Sequence, residues 1–380
     1  NGGDGVIAHY YLKKYNVLSK IIFIEEKHNH SKLIKRYKLL KSEYSIYDDK
    51  TKFSKYDWII DGIFGVGLSR ALNKKYIQII KKINKNNNTI SIDINSGLSS
   101  DSGHKLYKDV NAVNSKFVIT FGYPKVGHYF NCINNLKIVD IGFKNIKNPN
   151  ICKIELSDIS KLLKPFLYKN DKHKKNSKCM IYAGSDLYPG AAILSSMAAI
   201  KAGSGYVNLF TDSNEKIQVK VPEIIVKNSN DLSKEPIGKD PCATLIGPGD
   251  TNLVDFKYLH PNYKIRNLNL GSQPEFVLDA GIFSGNCLSD FDIYPPHCIF
   301  TPHLGEFRRS FDYFDALNIE FIYKIQKSLE DRILILKSFN TFIITKNMVY
   351  IMDKGSSILA TAGTGDVLSG ILVSLLSQGY

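Results

Sequence analysis

The sequence is short of arginine, of patterned cysteine and of long apolar runs, and each shortage excludes something. Of 50 basic residues only six are Arg, at positions 36, 70, 266, 308, 309 and 332. The others are Lys, in company with abundant Asn, Ile and Tyr, all residues with A/T-rich codons. Base readout leans on Arg, and the lysines are scattered, dense only near 33–41 and 169–178. The formal charge of +14 therefore reads as genome bias, and no nucleic-acid partner is expected. The six Cys form no C-x-x-C pair and no zinc spacing, which excludes a zinc module. Inert thiols fit a reducing compartment, so a cytoplasmic protein is expected. The nine His are equally dispersed. No stretch of about 18 apolar residues occurs, so no membrane span or membrane partner is expected. Nothing signal-like opens the chain, and no internal repeat stands out.

What is present suffices for folded domains: 43% hydrophobic and 11% aromatic residues over 380 positions, room for two domains. WIIDGIF (58–64), TISIDINSGL (89–98), KFVITFG (116–122) and LKIVDIG (136–142) are short apolar runs with a helical spacing (Leu72, Tyr76, Ile79, Ile80, Ile83) between the first two. Strand, helix, strand in repetition predicts a mostly parallel sheet with helices on both faces. Composition shifts over 145–178, where an amphipathic ELSDISKLLKPFL is followed by a lysine-rich connector, and the domain boundary is placed near 150. The same logic then restarts. KCMIYAGS, GYVNLFT, ATLIGPGD, EFVLDAG, CIFTPHLGEF, RILILKSF and TFIIT each put polar or glycine residues just after an apolar run. Ligands of open parallel sheets collect beyond such strand ends.

Near the end the chain reads ATAGTGDVLSGILVSLL (360–376). Val367, Leu368, Ile371, Leu372, Leu375 and Leu376 fall on one helical face. The glycine-rich run before them reads as a loop feeding a helix N-terminus, a ready anion site. Two roles are open for Asp366: a proton acceptor beside a bound phosphate, or a cap for the helix. No Gly-Lys-Ser/Thr follows, so this is not a Walker loop.

In chain order these tips resemble a known family. HKKNSKCMIYAGSDLYPGAAILSSMAAIKAGSGYV, LIGPGD, FVLDAG, TPHLGEF, LILKSFNT and GTGDVLSGIL resemble the ADP/ATP-dependent NAD(P)H-hydrate dehydratases of the ribokinase-like superfamily. NGGDGVIAHYYL, DWIIDGIFGVGLSR, SIDINSGLSSDSG and TFGYPKVG resemble the NAD(P)H-hydrate epimerase domain. Together they are similar to the fused repair enzymes, over nearly the whole chain. The resemblance implies a Rossmann-like α/β epimerase domain (1–150) and a ribokinase-like α/β dehydratase domain (151–380). It implies isomerase and lyase activities on hydrated NADH and NADPH: epimerisation of the R and S forms, and dehydration of the S form through phosphorylation and phosphate elimination. ADP or ATP would be co-substrate. The match opens at the second Asn of the usual Asn-Asn-Gly-Gly-Asp-Gly and closes one helix after GTGD, so each domain is expected to lack a terminal segment.

The resemblance also implies residue roles. In the first domain, Asn1, Gly2, Gly3 and Asp4, with Gly65, Val66, Gly67, Leu68, Ser69, Arg70 and Ala71, would bind the substrate. Asn1, Asp61 and Ser96 would hold a potassium ion. Asp93 would be the acid/base near carbon 6 of the hydrated nicotinamide. From the residues alone, Asp61 and Asp93 also read as strand-end turn formers. In the second domain Asp366 would be the catalytic base, with Gly363, Thr364 and Gly365 cradling the phosphate. Lys337, Ser338, Phe339, Asn340 and Thr341 would line the ADP/ATP site. Ala191, Ala192, Gly249 and His303 would contact the substrate, although His303 also reads as a turn residue after Pro302. Glu306 would hold magnesium through water. Asp250 and Thr251 stand where the family has Leu-Gly, Ser338 where it has Gly, and Gly281 where it has a second Asp. A homo-oligomer acting on small molecules is the expected state. The alternatives are a ribokinase-like kinase of a small alcohol, an inactive epimerase-like scaffold or binding protein, and a decayed fragment.

Overall fold

A computed structural model describes residues 3–25, 28–68, 71–103, 105, 112–131, 133, 135–144, 149–162, 177–212, 217, 221–228, 242–249, 276–283, 291, 294–311 and 317–380. The chain divides into two compact units. One comprises Asn1–Lys147 with Ala316–Ile322, the other Asn148–Asp315 with Tyr323–Tyr380.

The first unit opens with helix α1 (Gly3–Lys14), β1 (Ile21–Phe23), α2 (His28–Arg36) and β2 (Tyr44–Ile46); β1 and β2 pair as a separate parallel ribbon. Its main sheet is β3 (Ile59–Asp61), β4 (Thr89–Ile92), β5 (Phe117–Phe121) and β6 (Leu136–Val139), side by side and all parallel. These are the four apolar runs of the sequence. Helix α3 (Lys74–Ile83) lies between β3 and β4 in the chain, and Asn73 caps it, its Oδ1 accepting the Tyr76 N–H at 3.1 Å. Ile77, Ile79, Ile80 and Ile83 are buried on one face of α3, in a core shared with Ile59, Leu68 and Leu72. Burial of an isoleucine contributes about 1.5–3 kcal/mol, so this stripe fixes the helix against the sheet. A short α4 (Val126–Phe130) follows β5.

The second unit holds β7 (Ile151–Lys153), α5 (Leu156–Leu162), β8 (Lys178–Tyr182), α6 (Pro189–Lys201), β9 (Tyr206–Thr211), β10 (Ile225–Asn228), β11 (Cys242–Ile246), β12 (Phe276–Leu278), β13 (Cys298–Phe300), α7 (Leu304–Ser310), β14 (Ile333–Leu336), β15 (Thr341–Ile344), β16 (Val349–Met352) and α8 (Thr364–Ser377). One sheet runs β10-β9-β8-β11-β12-β13-β14-β15-β16-β7. It is parallel from β10 to β14, then turns antiparallel through β15 and β16. Within the stretch of shifted composition, Ile151–Lys153 forms β7, which pairs with β16; most of the lysine-rich connector lies outside the described residues. Helices α6 and α8 pack together, and Val373 of α8 joins Cys179, Ile181, Leu209 and Leu245 in one core. They approach so closely that a Cβ at Gly370 would stand 2.2 Å from the Ser195 carbonyl oxygen. Glycine is needed there for space. Among the described residues, no helix is long and apolar enough to cross a membrane.

Candidate functional site

In the first unit, β3 ends at Asp61, whose side chain is 1% exposed. Ser96 Oγ donates to Asp61 Oδ1 at 2.6 Å, and the Ser96 N–H to Oδ2 at 2.9 Å. Ser91 Oγ donates to Oδ2 at 2.9 Å and the Ile63 N–H to Oδ1 at 3.3 Å. All four donors are neutral. Burial pushes the Asp61 carboxyl above its ordinary range, and these hydrogen bonds oppose it. A buried carboxylate with only neutral donors around it suits a cation. The first turn of α1 lies against the same strand end: a Cβ at Gly62 would be 3.5 Å from Gly5 Cα. Gly3 and Asp4 are in that turn, with Asp4 exposed. Asn1, Gly2, Ser69 and Arg70 lie outside the described residues.

Asp93, one residue past β4, has φ +69°, a conformation most side chains avoid. Three neighbours hold it. Lys125 Nζ pairs with Asp93 Oδ1 at 2.6 Å, and Thr120 Oγ1 donates to the same oxygen at 3.0 Å. His128 Nδ1 accepts the Lys125 N–H at 3.0 Å, which leaves the ring proton on Nε2, 2.8 Å from the Asp93 carbonyl oxygen. Burial lowers the His128 pKa to about 4, with Lys125 adding to the effect and the Asp93 carbonyl opposing it. The other carboxylate oxygen, Oδ2, faces the loop after β3, 3.6 Å from where a Cβ on Gly65 would be. Along that loop Val66 is exposed and its carbonyl accepts from Ser100 Oγ at 3.1 Å. Leu68 instead packs into the core, so its side chain supports the loop from behind. Gly67 and Ala71 are exposed.

The second unit gathers charge at the carboxyl ends of β12, β13 and β14, where parallel sheets place ligands. Asp279 follows β12 and is 1% exposed; Lys337 follows β14, and its Nζ meets Asp279 Oδ1 at 2.9 Å. His303 follows β13 and caps α7. Its Nδ1 accepts the N–H groups of Gly305 at 2.9 Å and Glu306 at 3.2 Å, while Glu306 Oε2 accepts the His303 N–H at 2.7 Å. This reciprocal cap fixes the ring and puts its proton on Nε2, which lies 3.4 Å from Glu306 Oε1. Strands β13 and β14 keep in register to their tips, the Lys337 N–H donating to the Pro302 carbonyl at 2.9 Å.

Gly363, at φ +90°, is the N-cap of α8, and no side chain caps the helix there. The N–H groups of its first turn are thus left to another acceptor. A Cβ on Gly365 would be 3.3 Å from Lys337 Nζ, so the lysine stands at that helix mouth. Asp366 sits in the first turn. No hydrogen bond to its carboxylate is present among the described residues, and the cap position belongs to Gly363, not to Asp366. Burial raises the Asp366 pKa to about 6, aided by Asp279 and Glu306 and opposed by Lys337. The helix terminus favours the charged form; burial and like charge win. Burial likewise raises the Glu306 carboxyl. Thr364 Oγ1 turns back to the Leu359 and Thr361 carbonyls, at 3.0 and 2.9 Å.

The remaining predicted residues fall around this cluster with different prospects. Ala191 lies in the first turn of α6, and a Cβ on Gly249 would be 2.5 Å from its Cβ. Ala192 is fully buried in the core, behind Ala191. Ser338, Phe339 and Asn340 make the turn from β14 to β15, which Thr341 begins; Phe339 is exposed and Asn340 buried. Ser338 has an ordinary negative φ, so the turn does not need glycine. Asp250 and Thr251 lie outside the described residues. Sequence reasoning assigned no role to Asp279, Lys125, Thr120 or His128. Asp279 carries the same signal as the others, a polar residue directly after an apolar run.

These are two α/β units with polar side chains collected beyond the ends of parallel strands, the arrangement of small-molecule enzymes. A family model described as NAD(P)H-hydrate dehydratase matches residues 179–380, and one described as YjeF-related protein N-terminus matches residues 1–127. The chain is 33% identical to the bifunctional NAD(P)H-hydrate repair enzyme Nnr of Dictyoglomus turgidum over 420 residues, covering all of this chain and 79% of that protein. It is 25% identical to the enzyme of the same name from Thermofilum pendens, covering all of this chain and 77% of that one. The chain belongs to the family of bifunctional NAD(P)H-hydrate repair enzymes. Similar solved structures include a ribokinase-like superfamily protein from Enterococcus faecalis (22% identity, 62% of this chain and 83% of that one, TM-score 0.47). Another is the ADP/ATP-dependent NAD(P)H-hydrate dehydratase of Bacillus subtilis co-crystallized with ATP and Mg2+ (24%, 55% and 75%, TM-score 0.42).

Proposed function

We propose that the first unit interconverts the R and S epimers of hydrated NADH and NADPH, and that the second dehydrates the S form with ADP or ATP. The observation that carries the reading is Asp366: a carboxylate at an uncapped helix mouth, free of hydrogen bonds among the described residues, with a pKa near about 6. Such a group is ionised at neutral pH and still a usable base. It takes the proton of the substrate 6-hydroxyl as that oxygen attacks the terminal phosphoryl group. The N–H groups of Gly363, Thr364 and Gly365, with the Lys337 ammonium, face the phosphate charge. Breaking the bond between carbon 6 and the phosphorylated oxygen, with loss of a carbon-5 proton, then restores the dihydronicotinamide. His303 Nε2 serves as a donor toward the substrate, and Ala191 offers a small surface beside it.

Asp279, Glu306 and Asp366 against Lys337 leave an excess of negative charge that suits a divalent cation. No group of three His, Cys, Asp or Glu is close enough to hold an ion among the described residues. Magnesium, which keeps several waters, fits as an ion carried with the nucleotide and touched by Glu306 through water. When bound it neutralises phosphate charge. In the first unit Asp61 and Ser96, with Asn1, would hold potassium. Asp93 takes the 6-hydroxyl proton as the bond between carbon 6 and the ring nitrogen opens to an aldehyde, passes that proton to the nitrogen, and reverses both transfers as the ring closes on the other face. The protein is further proposed to work as a cytoplasmic homo-oligomer; its described cysteines are free thiols, consistent with a reducing compartment.

The test is a recovery assay. The purified chain is incubated with an epimer mixture of hydrated NADH and ADP or ATP, and the near-ultraviolet absorbance of the dihydronicotinamide is followed. Enzyme-dependent return of the whole pool is expected. A return limited to the S fraction would remove the epimerase from this reading, and no return would remove the dehydratase.

A further inference from the structure

Lys125 lies in the TFGYPKVG segment, to which neither reaction has yet given a role. Its ammonium has three hydrogens, and three acceptors surround it: Asp93 Oδ1 at 2.6 Å, Thr120 Oγ1 at 2.8 Å and the Phe121 carbonyl at 3.1 Å. With all three donors used, it has none left for a substrate. Thr120, accepting from the lysine, turns its own hydroxyl hydrogen to Asp93 Oδ1 at 3.0 Å. Both side-chain donors thus converge on one oxygen of the carboxylate. The other, Oδ2, receives no hydrogen bond among the described residues and points to the Gly65 loop. Of the titratable groups packed around Asp93, Lys125 is the cation and His128 is a neutral imidazole bound to the Asp93 carbonyl.

We infer that Lys125 is the positioning residue of the epimerase site: it pins Asp93 by Oδ1 so that Oδ2 alone meets the 6-hydroxyl, opposite Gly65. The inference rests on the epimerase reading and adds the side chain that decides which oxygen works and where it points. A free carboxylate would rotate about its χ2 bond, which has a broad torsional well. The bridge to β5 removes that freedom, because Thr120 and Phe121 are both residues of that strand.

The experiment starts from one separated epimer of hydrated NADPH, without ADP or ATP so that dehydration is silent, and follows the approach to the epimer equilibrium by chromatography. Wild type is compared with Lys125→Met, Lys125→Arg and Thr120→Val in the full chain. Lys125→Met is expected to lower kcat by about 100-fold or more, the scale of a mispositioned acid/base group, with KM within about twofold because the lysine does not touch substrate. Lys125→Arg keeps a cation and should recover part of kcat, and Thr120→Val, which leaves the ammonium in place, should cost less than Lys125→Met. Tryptophan fluorescence on unfolding shows that each variant is folded; a variant that fails this check is replaced in the comparison by Thr120→Val, whose graded loss in kcat alone carries the same expectation. Wild-type rates in Lys125→Met, or equal losses in kcat and affinity, would overturn the inference while leaving the epimerase reading intact. A wild-type chain without activity above the uncatalysed rate would overturn both.

Discussion

His128 should make the first unit sensitive to acid, by an amount that the structure sets. The imidazole is 1% exposed, and burial lowers its pKa from 6.5 to about 4. The unfolded chain takes up a proton through the ordinary histidine range, while the folded chain refuses it until near pH 4. Stability is therefore complete above the unfolded value and is lost as pH falls between the two. With one pKa unit worth about 1.4 kcal/mol, taking the solution from about pH 8 to about pH 5 should cost roughly 2 kcal/mol through this residue alone. Burial also lowers the His9 pKa, so the wild-type slope is not diagnostic by itself. The comparison is with His128→Asn, which does not titrate but keeps an oxygen near the place of Nδ1. At about pH 8 the variant should be less stable, by about 1 kcal/mol for the lost Nε2 bond plus a packing term. Near pH 5 that gap should shrink by about 2 kcal/mol. The assay is urea unfolding followed by the fluorescence of Trp58, the one tryptophan of the chain, which lies in the first unit beside Phe117. A gap of the same size at both pH values would refute the reasoning, for it would mean that His128 titrates alike in the folded and unfolded chain.

Three further outcomes follow from named contacts. The dehydratase rate should fall as pH drops through about 6, because Asp366 with a pKa near that value loses its role as base when protonated; a kcat profile flat down to about pH 5 would contradict this. Gly370→Ala should destabilise the second unit despite the better helix propensity of alanine, worth about 1 kcal/mol. Its Cβ would stand 2.2 Å from a backbone oxygen, and relieving such overpacking costs about 1–3 kcal/mol; a raised midpoint for loss of dehydratase activity on heating would contradict it. Potassium should stabilise the wild-type first unit more than choline does, read by Trp58 fluorescence, and the difference should vanish in Asp61→Asn; an equal potassium effect in both proteins would remove Asp61 from the proposed site.

Much of this architecture is legible in the sequence because its parallel strands are short apolar runs closed by polar or glycine tips. WIIDGIF, TISIDIN, KFVITFG and LKIVDIG are β3 to β6 in order. The three-residue strands β1, β2 and β7 escape such a reading. Length is not the reason, since β3 is equally short; β2 and β7 carry no continuous apolar run, and β7 pairs with β16, nearly two hundred positions along the chain. The site divides in the same way. Asp61, Asp93 and Asp366 stand at strand ends or a glycine-rich helix mouth, where the local pattern marks them. Asp279 and Lys125 act through partners far along the chain, Lys337 being 58 residues from Asp279 and Asp93 being 32 from Lys125. Spacing does not show such pairs; only the strand order brings them together. His303 illustrates the mixed case, a turn residue by its Nδ1 and a donor by its Nε2, which lies beside Glu306.

The central claim is that Asp366 takes the hydroxyl proton, and Asp366→Asn tests it most directly. Given hydrated NADPH and ATP, the variant should restore dihydronicotinamide about 100-fold or more slowly than wild type, while still interconverting the epimers at the wild-type rate. Recovery as fast as wild type would show that another group is the base.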